Sequence, residues 1–246
     1  TLKMRQQAKL AAFGDQVNWL NQWPDQLQGV VVGNEVLDAM PVKLLYRHQG
    51  QWHERGVVKA DTPDGLAWED RLTDLRPPVE PVGEHDYLTE IQPQGEAFVA
   101  SLAERLLASQ KGGAAFFLDY GFPESEFFHP ERHMGTVMCH QAHKADANPL
   151  ASVGLKDITA HVNFTGIALA GQDAGLQVLG YTSQARFLLN LGLAERMAQA
   201  PLPERAQAMK LISEHEMGEL FKVVGFATHD HWQAQGFTAG DRSHRL

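Results

Sequence analysis

Residues 30–42, VVVGNEVLDAMPV, place an amide and two carboxylates directly behind a short β-branched run. Such a run, bounded by turn residues, fits a buried strand of a parallel sheet. The polar residues behind it then stand at the C-terminal edge, where open α/β sheets bind ligands. Asn34 can both donate and accept a hydrogen bond. Glu35 and Asp38 are three apart, so on a helical turn both carboxylates face one pocket and match the donor fork of a guanidinium. Spacing alone favours a plainer reading, in which Asn34 caps a helix whose first turn carries the acidic residues.

Two further clusters have the same double character. Asp119-Tyr120-Gly121 follows the apolar run AAFFL (114–118) and fits either a ligand-facing sheet edge or a simple turn. In DITAHVNF (157–164), Asp157 and His161 are four apart and become neighbours on a helix, where the carboxylate orients the imidazole. Asp157 or Thr159 can equally cap the helix that follows. His129, His133, His140 and His143 crowd one segment, and His140-x-x-His143 has the spacing of a metal-ligand pair. The segment lacks the Glu of an HExxH site and Cys139 has no second cysteine, so solvated histidines are expected, and no metal. Gly171, Gly175 and Gly180 do not form a GxGxxG fingerprint, and there is no Walker loop.

These residues need a framework. A helix is expected over 1–21, a strand over 30–33 and a hairpin of 43–48 with 51–58 about Gln49-Gly50. Prolines 63, 77, 78 and 81 make 61–83 mainly loop with at most short strands. The apolar stripe Phe98, Leu102, Leu106 marks a helix over 96–109, which Gly112-Gly113 ends before the strand 114–118. A helix over 164–174, a strand over 176–181, a helix begun by Ser183 and running to 191, and a strand over 220–227 follow. Strand, helix, strand at crossover spacing is the pattern of an α/β sheet. The 246 residues carry a formal charge of −9, which argues against non-specific binding to nucleic acid or an anionic membrane and suits a basic partner. A single cysteine excludes an internal disulfide, and no apolar run approaches the ~18 residues of a membrane-spanning helix.

Six segments, taken together, carry a resemblance. GNEVLDAMPV (33–42), FFLDYGF (116–122), RHMGTVMCH (132–140), GLKDITAHVNF (154–164), YTSQARFLLNLG (181–192) and HEMGELFKV (215–223) resemble, in order and in approximate spacing, the MidA family. The resemblance implies a class I, Rossmann-like methyltransferase dependent on S-adenosyl-L-methionine (SAM), with a seven-stranded sheet and a hairpin and helical insertion at 42–95. It implies that 30–33 is the fourth strand, and that 1–246 is one domain without its first three strands and without the family's ExGxGxG-like cofactor loop.

On that footing Gly33 and Asn34 are expected to touch the cofactor. Glu35 and Asp38 would hold and polarise an acceptor guanidinium, with His161 orienting or relaying a proton, and Asp119, Tyr120 and Asp157 would contact substrate. Mitochondrial members of the family are associated with complex I assembly and with methylating a protein arginine, so a protein substrate is expected, in the cytoplasm of a bacterium or in a mitochondrial matrix. The 246-residue chain alone is expected to be inactive. The alternative is a binding or assembly module of the same fold. Two departures bear on substrate grip: Gln141-Ala142-His143-Lys144 stands where relatives carry Tyr-Arg-His-Arg-like residues, and Asn163 replaces the Asp of HVDF.

Overall fold

The computed structural model describes residues 2–141 and 144–246. Helix α1 (Leu2–Leu10) leads into a 3-10 segment, Ala11–Gln16, so the expected 21-residue helix is only half realised. None of its residues is buried, and without a packed face so short a helix does not propagate. Strand β1 (Gly29–Asn34) follows. Strands β2 (Lys43–His48) and β3 (Gln51–Lys59) then form the expected hairpin. Its two turn residues, Gln49 and Gly50, have φ of 49° and 77°, the pair of positive values that a type I′ hairpin turn requires.

Strand β4 (Leu66–Leu72), seven residues long, lies in the stretch expected to be loop with at most short strands, and every proline of that stretch falls outside it. Strand β5 (Tyr87–Ile91) completes an antiparallel sheet of order β4-β3-β2-β5, packed on Leu45, Trp52 and Tyr87. Helix α2 (Pro93–Leu107) and strand β6 (Gly113–Phe122) come next. After the short α3 (Glu124–Phe127), strands β7 (Met138–Gln141), β8 (Lys144–Asp146) and β9 (Asp157–Thr159) make a small sheet. The two-residue strand β10 (Val162–Asn163) leads into helix α4 (Phe164–Asp173), and strand β11 (Gln177–Ser183) follows. Helices α5 (Gln184–Asn190), α6 (Leu193–Gln199) and α7 (Leu202–Ile212) precede the last strand, β12 (Phe221–Ala227).

The main sheet runs β1-β6-β12-β11, with β10 pairing β6. Strands β1 and β6 are parallel; β12 is antiparallel to both of its neighbours. Helices α2 and α4 pack against it through Val99, Leu102, Leu106 and Ile167, which close over Phe117, Val224 and Phe226. The α/β reading therefore holds. The buried state expected for β1 does not: among the described residues β1 has one neighbour, and Val30 and Val32 are 64% and 67% exposed.

Gly121 shows how tightly this edge is built. A Cβ there would sit 2.1 Å from the Val162 carbonyl, so only glycine lets β10 lie against β6. Among the described residues, no helix is long and apolar enough to cross a membrane.

Candidate functional site

The parallel strands β1 and β6 end side by side, with Asn34 level with Leu118. The chain leaving β1 turns sharply: Glu35 has φ of 51°, a left-handed value that a non-glycine residue adopts at a cost of about 1 kcal/mol. Residues 35–40 form a turn and no helix, so neither the helix cap nor the helical pairing of Glu35 with Asp38 is realised. The reason lies on the neighbouring strand. Asp119 Oδ2 accepts the amide hydrogens of Val36, Leu37 and Asp38 at 3.2, 2.9 and 3.3 Å, satisfying donors that a helix cap would otherwise serve.

Asp38 is only 3% exposed, and its Oδ1 is buried without a hydrogen-bond partner. Its carbonyl accepts the Ala160 amide at 2.9 Å, tying this turn to the segment that carries His161. Burial first, and then the Glu35 charge, hold the Asp38 carboxyl above its ordinary range. Burial, followed by the Asp38 charge, pushes Asp119 up to about 7. Two carboxyls this close and this dry retain a proton that an isolated aspartate would have lost.

A cavity of about 430 Å³ opens in front of Asp38, lined also by Tyr120, Arg132, Thr136, His140 and His161. The Tyr120 ring stacks on His161 at 6.3 Å and packs on Phe221 at 3.9 Å. The His161 backbone is clamped on both sides: its amide donates to Thr136 Oγ1 at 3.0 Å, and Gln92 Nε2 donates to its carbonyl at 2.7 Å. Gln92 Oε1 in turn accepts the Asn163 amide at 2.9 Å. Burial, reinforced by the Arg132 and Lys222 charges, lowers His161 to about 4, so its ring is neutral at neutral pH. Its Nδ1 is buried and unpartnered.

One wall of the cavity rests on Glu90, which is 1% exposed. Glu90 Oε1 accepts the amides of Thr136 and Val137 at 2.7 and 3.1 Å, while Oε2 accepts the Thr136 hydroxyl at 3.2 Å. Gly135, with φ of 72°, makes room for it: a Cβ would lie 2.6 Å from Glu90 Oε1.

The structure thus gathers Asp38, Tyr120 and His161 around one cavity. Glu35 and Asn34 are exposed beside it and bonded to each other, Asn34 Nδ2 donating to Glu35 Oε1 at 3.1 Å. Gly33 is buried, with space for a Cβ taken by the Phe117 ring 2.8 Å away.

Asp119 does not line the cavity; its oxygens are spent on backbone amides. Asp157 lies on strand β9 opposite His140, exposed, so it does not share a helix with His161. Neither Asp157 nor Thr159 caps α4: that role falls to Asn163, whose side chain accepts the Gly166 amide at 3.4 Å. The Asn163 departure thus sits in a helix cap, outside the cavity lining.

The loop histidines do not gather, and among the described residues no group of three or more His, Cys, Asp or Glu is placed to hold a metal ion. His129 accepts the Glu131 amide, His133 meets His85 edge-on and His140 lines the cavity; His143 lies outside the described residues, as does part of the 141–144 departure. Arg132, Thr136 and Glu90 escaped the sequence reading, although RHMGTVMCH already singled out the segment holding the first two.

The profile of a family described as "putative S-adenosyl-L-methionine-dependent methyltransferase" matches residues 1–182. Among curated proteins, the chain is similar to "Protein arginine methyltransferase NDUFAF7 homolog, mitochondrial" of Drosophila melanogaster, 27% identical over 231 residues, covering 87% of this chain and 51% of that protein. The Caenorhabditis elegans protein of the same name is 25% identical over 213 residues, covering 83% and 48%. The chain therefore spans about half the length of these relatives.

Among solved structures, a "likely methyl transferase" from Burkholderia thailandensis, bound to S-adenosyl-homocysteine, is 43% identical with a TM-score of 0.88, covering all of this chain and 66% of that one. A native structure of an uncharacterised protein of the same superfamily and organism is 42% identical with a TM-score of 0.90, covering all of this chain and 68% of that one.

Proposed function

Since this chain belongs to the family of S-adenosyl-L-methionine-dependent methyltransferases whose profile it matches, we propose that it uses SAM to methylate an arginine guanidinium of a protein at the Asp38 cavity. The observation that carries this reading is Asp38, which lines a cavity of about 430 Å³ while its Oδ1 is buried without a hydrogen-bond partner. A buried acceptor left without a donor is costly, and a substrate N–H group that reaches it recovers that cost. The names of the two curated relatives support arginine as the acceptor.

SAM fits beside this turn, where Asn34 ends a parallel strand and Glu35 follows it, both exposed. Gly33 and Asn34 would approach it; the glycine-rich cradle of the family is not among these residues. When bound, SAM supplies a sulfonium-activated methyl group.

Asp38 orients the acceptor nitrogen, and Tyr120 with His161 forms a flat wall along the guanidinium plane. A guanidinium has a pKa above ~12, so no side chain here deprotonates it beforehand; its proton leaves with or after methyl transfer. Asp38 is the better proton acceptor, because burial has raised its affinity, whereas His161 holds a proton only below about 4. His161 therefore orients through Nδ1.

The protein substrate docks on the β4-β3-β2-β5 sheet, where Val57, Trp68 and Leu72 are exposed. The test is to incubate the intact protein with labelled SAM and a lysate of its own organism. Label on an arginine of a discrete protein supports the proposal; label confined to small molecules or nucleic acid refutes it.

A further inference from the structure

The cavity lined by Asp38 is also lined by a cation, Arg132. Arg132 places its guanidinium carbon 3.7 Å from the centre of the Phe122 ring and donates from Nε to the Glu126 carbonyl at 2.8 Å. Those two contacts fix the plane of the guanidinium. Among the described residues, neither of its Nη atoms has a hydrogen-bond or ion-pair partner, although the side chain lines the cavity. Asp38 and Arg132 line the same space without pairing: the charges that act on Asp38 are those of Glu35 and Asp157. An acid and a base held apart in one enclosure suit a ligand that carries both charges, since a ligand with one charge leaves the other protein group unmatched.

We infer that Arg132 is a specificity-determining residue, binding a carboxylate beside the target guanidinium, so that the arginine methylated here has an Asp or Glu as its neighbour in the substrate chain. This rests on the guanidinium reading of the acceptor. Arg132 suits the task physically: a planar fork, already oriented by stacking, grips a carboxylate in two places. The enclosure, at about 430 Å³, has the size of a site for a side chain and part of its neighbour.

The experiment uses the intact protein with SAM and three end-blocked peptides that differ only beside a single arginine, which is flanked by Asp, Asn or Lys. The wild-type protein should prefer the Asp peptide over the Asn peptide by about tenfold in kcat/KM, mostly through KM. Arg132→Gln should erase that preference, and Arg132→Glu should turn it toward the Lys peptide, which a merely misfolded variant would not do. Equal kcat/KM for the three peptides with the wild-type protein, or a preference for Asp that survives in Arg132→Gln, overturns the assignment of Arg132 and leaves the arginine reading intact. Failure to label any peptide, while label enters a residue other than arginine in the lysate, overturns the guanidinium reading and this one with it.

Discussion

Glu90 reaches Thr136 from the interior, accepting its amide at 2.7 Å and its hydroxyl at 3.2 Å, and so holds the cavity wall by one residue's two donors. Thr136 passes the constraint on, because its Oγ1 accepts the His161 amide. Replacing Glu90 with Ala leaves buried donors unmatched and should cost about 3 kcal/mol in chemical denaturation. A loss under about 1 kcal/mol would show that water replaces the carboxylate without penalty.

Asp119 gives the protein a pH signature. Its folded pKa, about 7, lies above the ordinary 3.8, so between those values the folded state keeps a proton that the unfolded state has released. This group's contribution to stability is therefore full below 3.8 and declines as pH rises toward 7. Asn at position 119 still accepts backbone amides but cannot ionise. Urea midpoints measured from pH 4 to 7.5 should fall less steeply in Asp119→Asn than in the wild type, and parallel curves would refute this reading.

His161 acts in the opposite sense. Its folded pKa, about 4, lies below 6.5, so its contribution is present above 6.5 and is lost as pH falls toward 4. NMR titration of the imidazole should place its midpoint near 4, well below the ordinary 6.5. A midpoint at or above 6.5 would remove the neutral, orienting ring from the mechanism.

The two carboxylates behind β1 should separate in function. In the intact protein, Asp38→Asn is expected to lower methyl transfer by about 100-fold, because the cavity loses its proton acceptor. Glu35→Gln, exposed and outside the cavity lining, should lower it by less than about tenfold. Equal losses in the two variants would restore a shared role for the pair.

The 246-residue chain by itself should bind SAM only weakly. Asn34 and Glu35 offer one flank of a cofactor site, and no glycine-rich motif in these residues supplies backbone contacts to the rest. Micromolar binding of SAM to this chain in calorimetry would overturn that expectation.

Much of the framework was legible because its determinants are local. Alternating or continuous apolar runs marked β1, β6 and β12, and the stripe of Phe98, Leu102 and Leu106 marked α2. Strand β4 was only partly legible, because prolines on either side left room for no more than short strands. The site was legible only in part. Asp38, Tyr120 and His161 could be named from their positions after strands, but the turn that sets Asp38 depends on Asp119, 81 residues later. Local spacing therefore favoured a helix cap that a distant carboxylate replaces. Glu90 gave no warning either, since a single acid in a short strand looks like an ordinary solvated residue until folding buries it.

The unpaired side of β1 has a consequence for anyone handling this chain in solution. Among the described residues no strand pairs its outer edge beside Val30 and Val32, and the strand carries no charge, proline or bulge to discourage company. Edges of that kind recruit other strands, and the nearest supply at high concentration is another copy of the same molecule. Aggregation that grows with protein concentration and is suppressed by Val32→Lys would trace the stickiness to this edge. A colloidal property of the preparation is thereby written into one strand whose far side the rest of the described structure leaves bare.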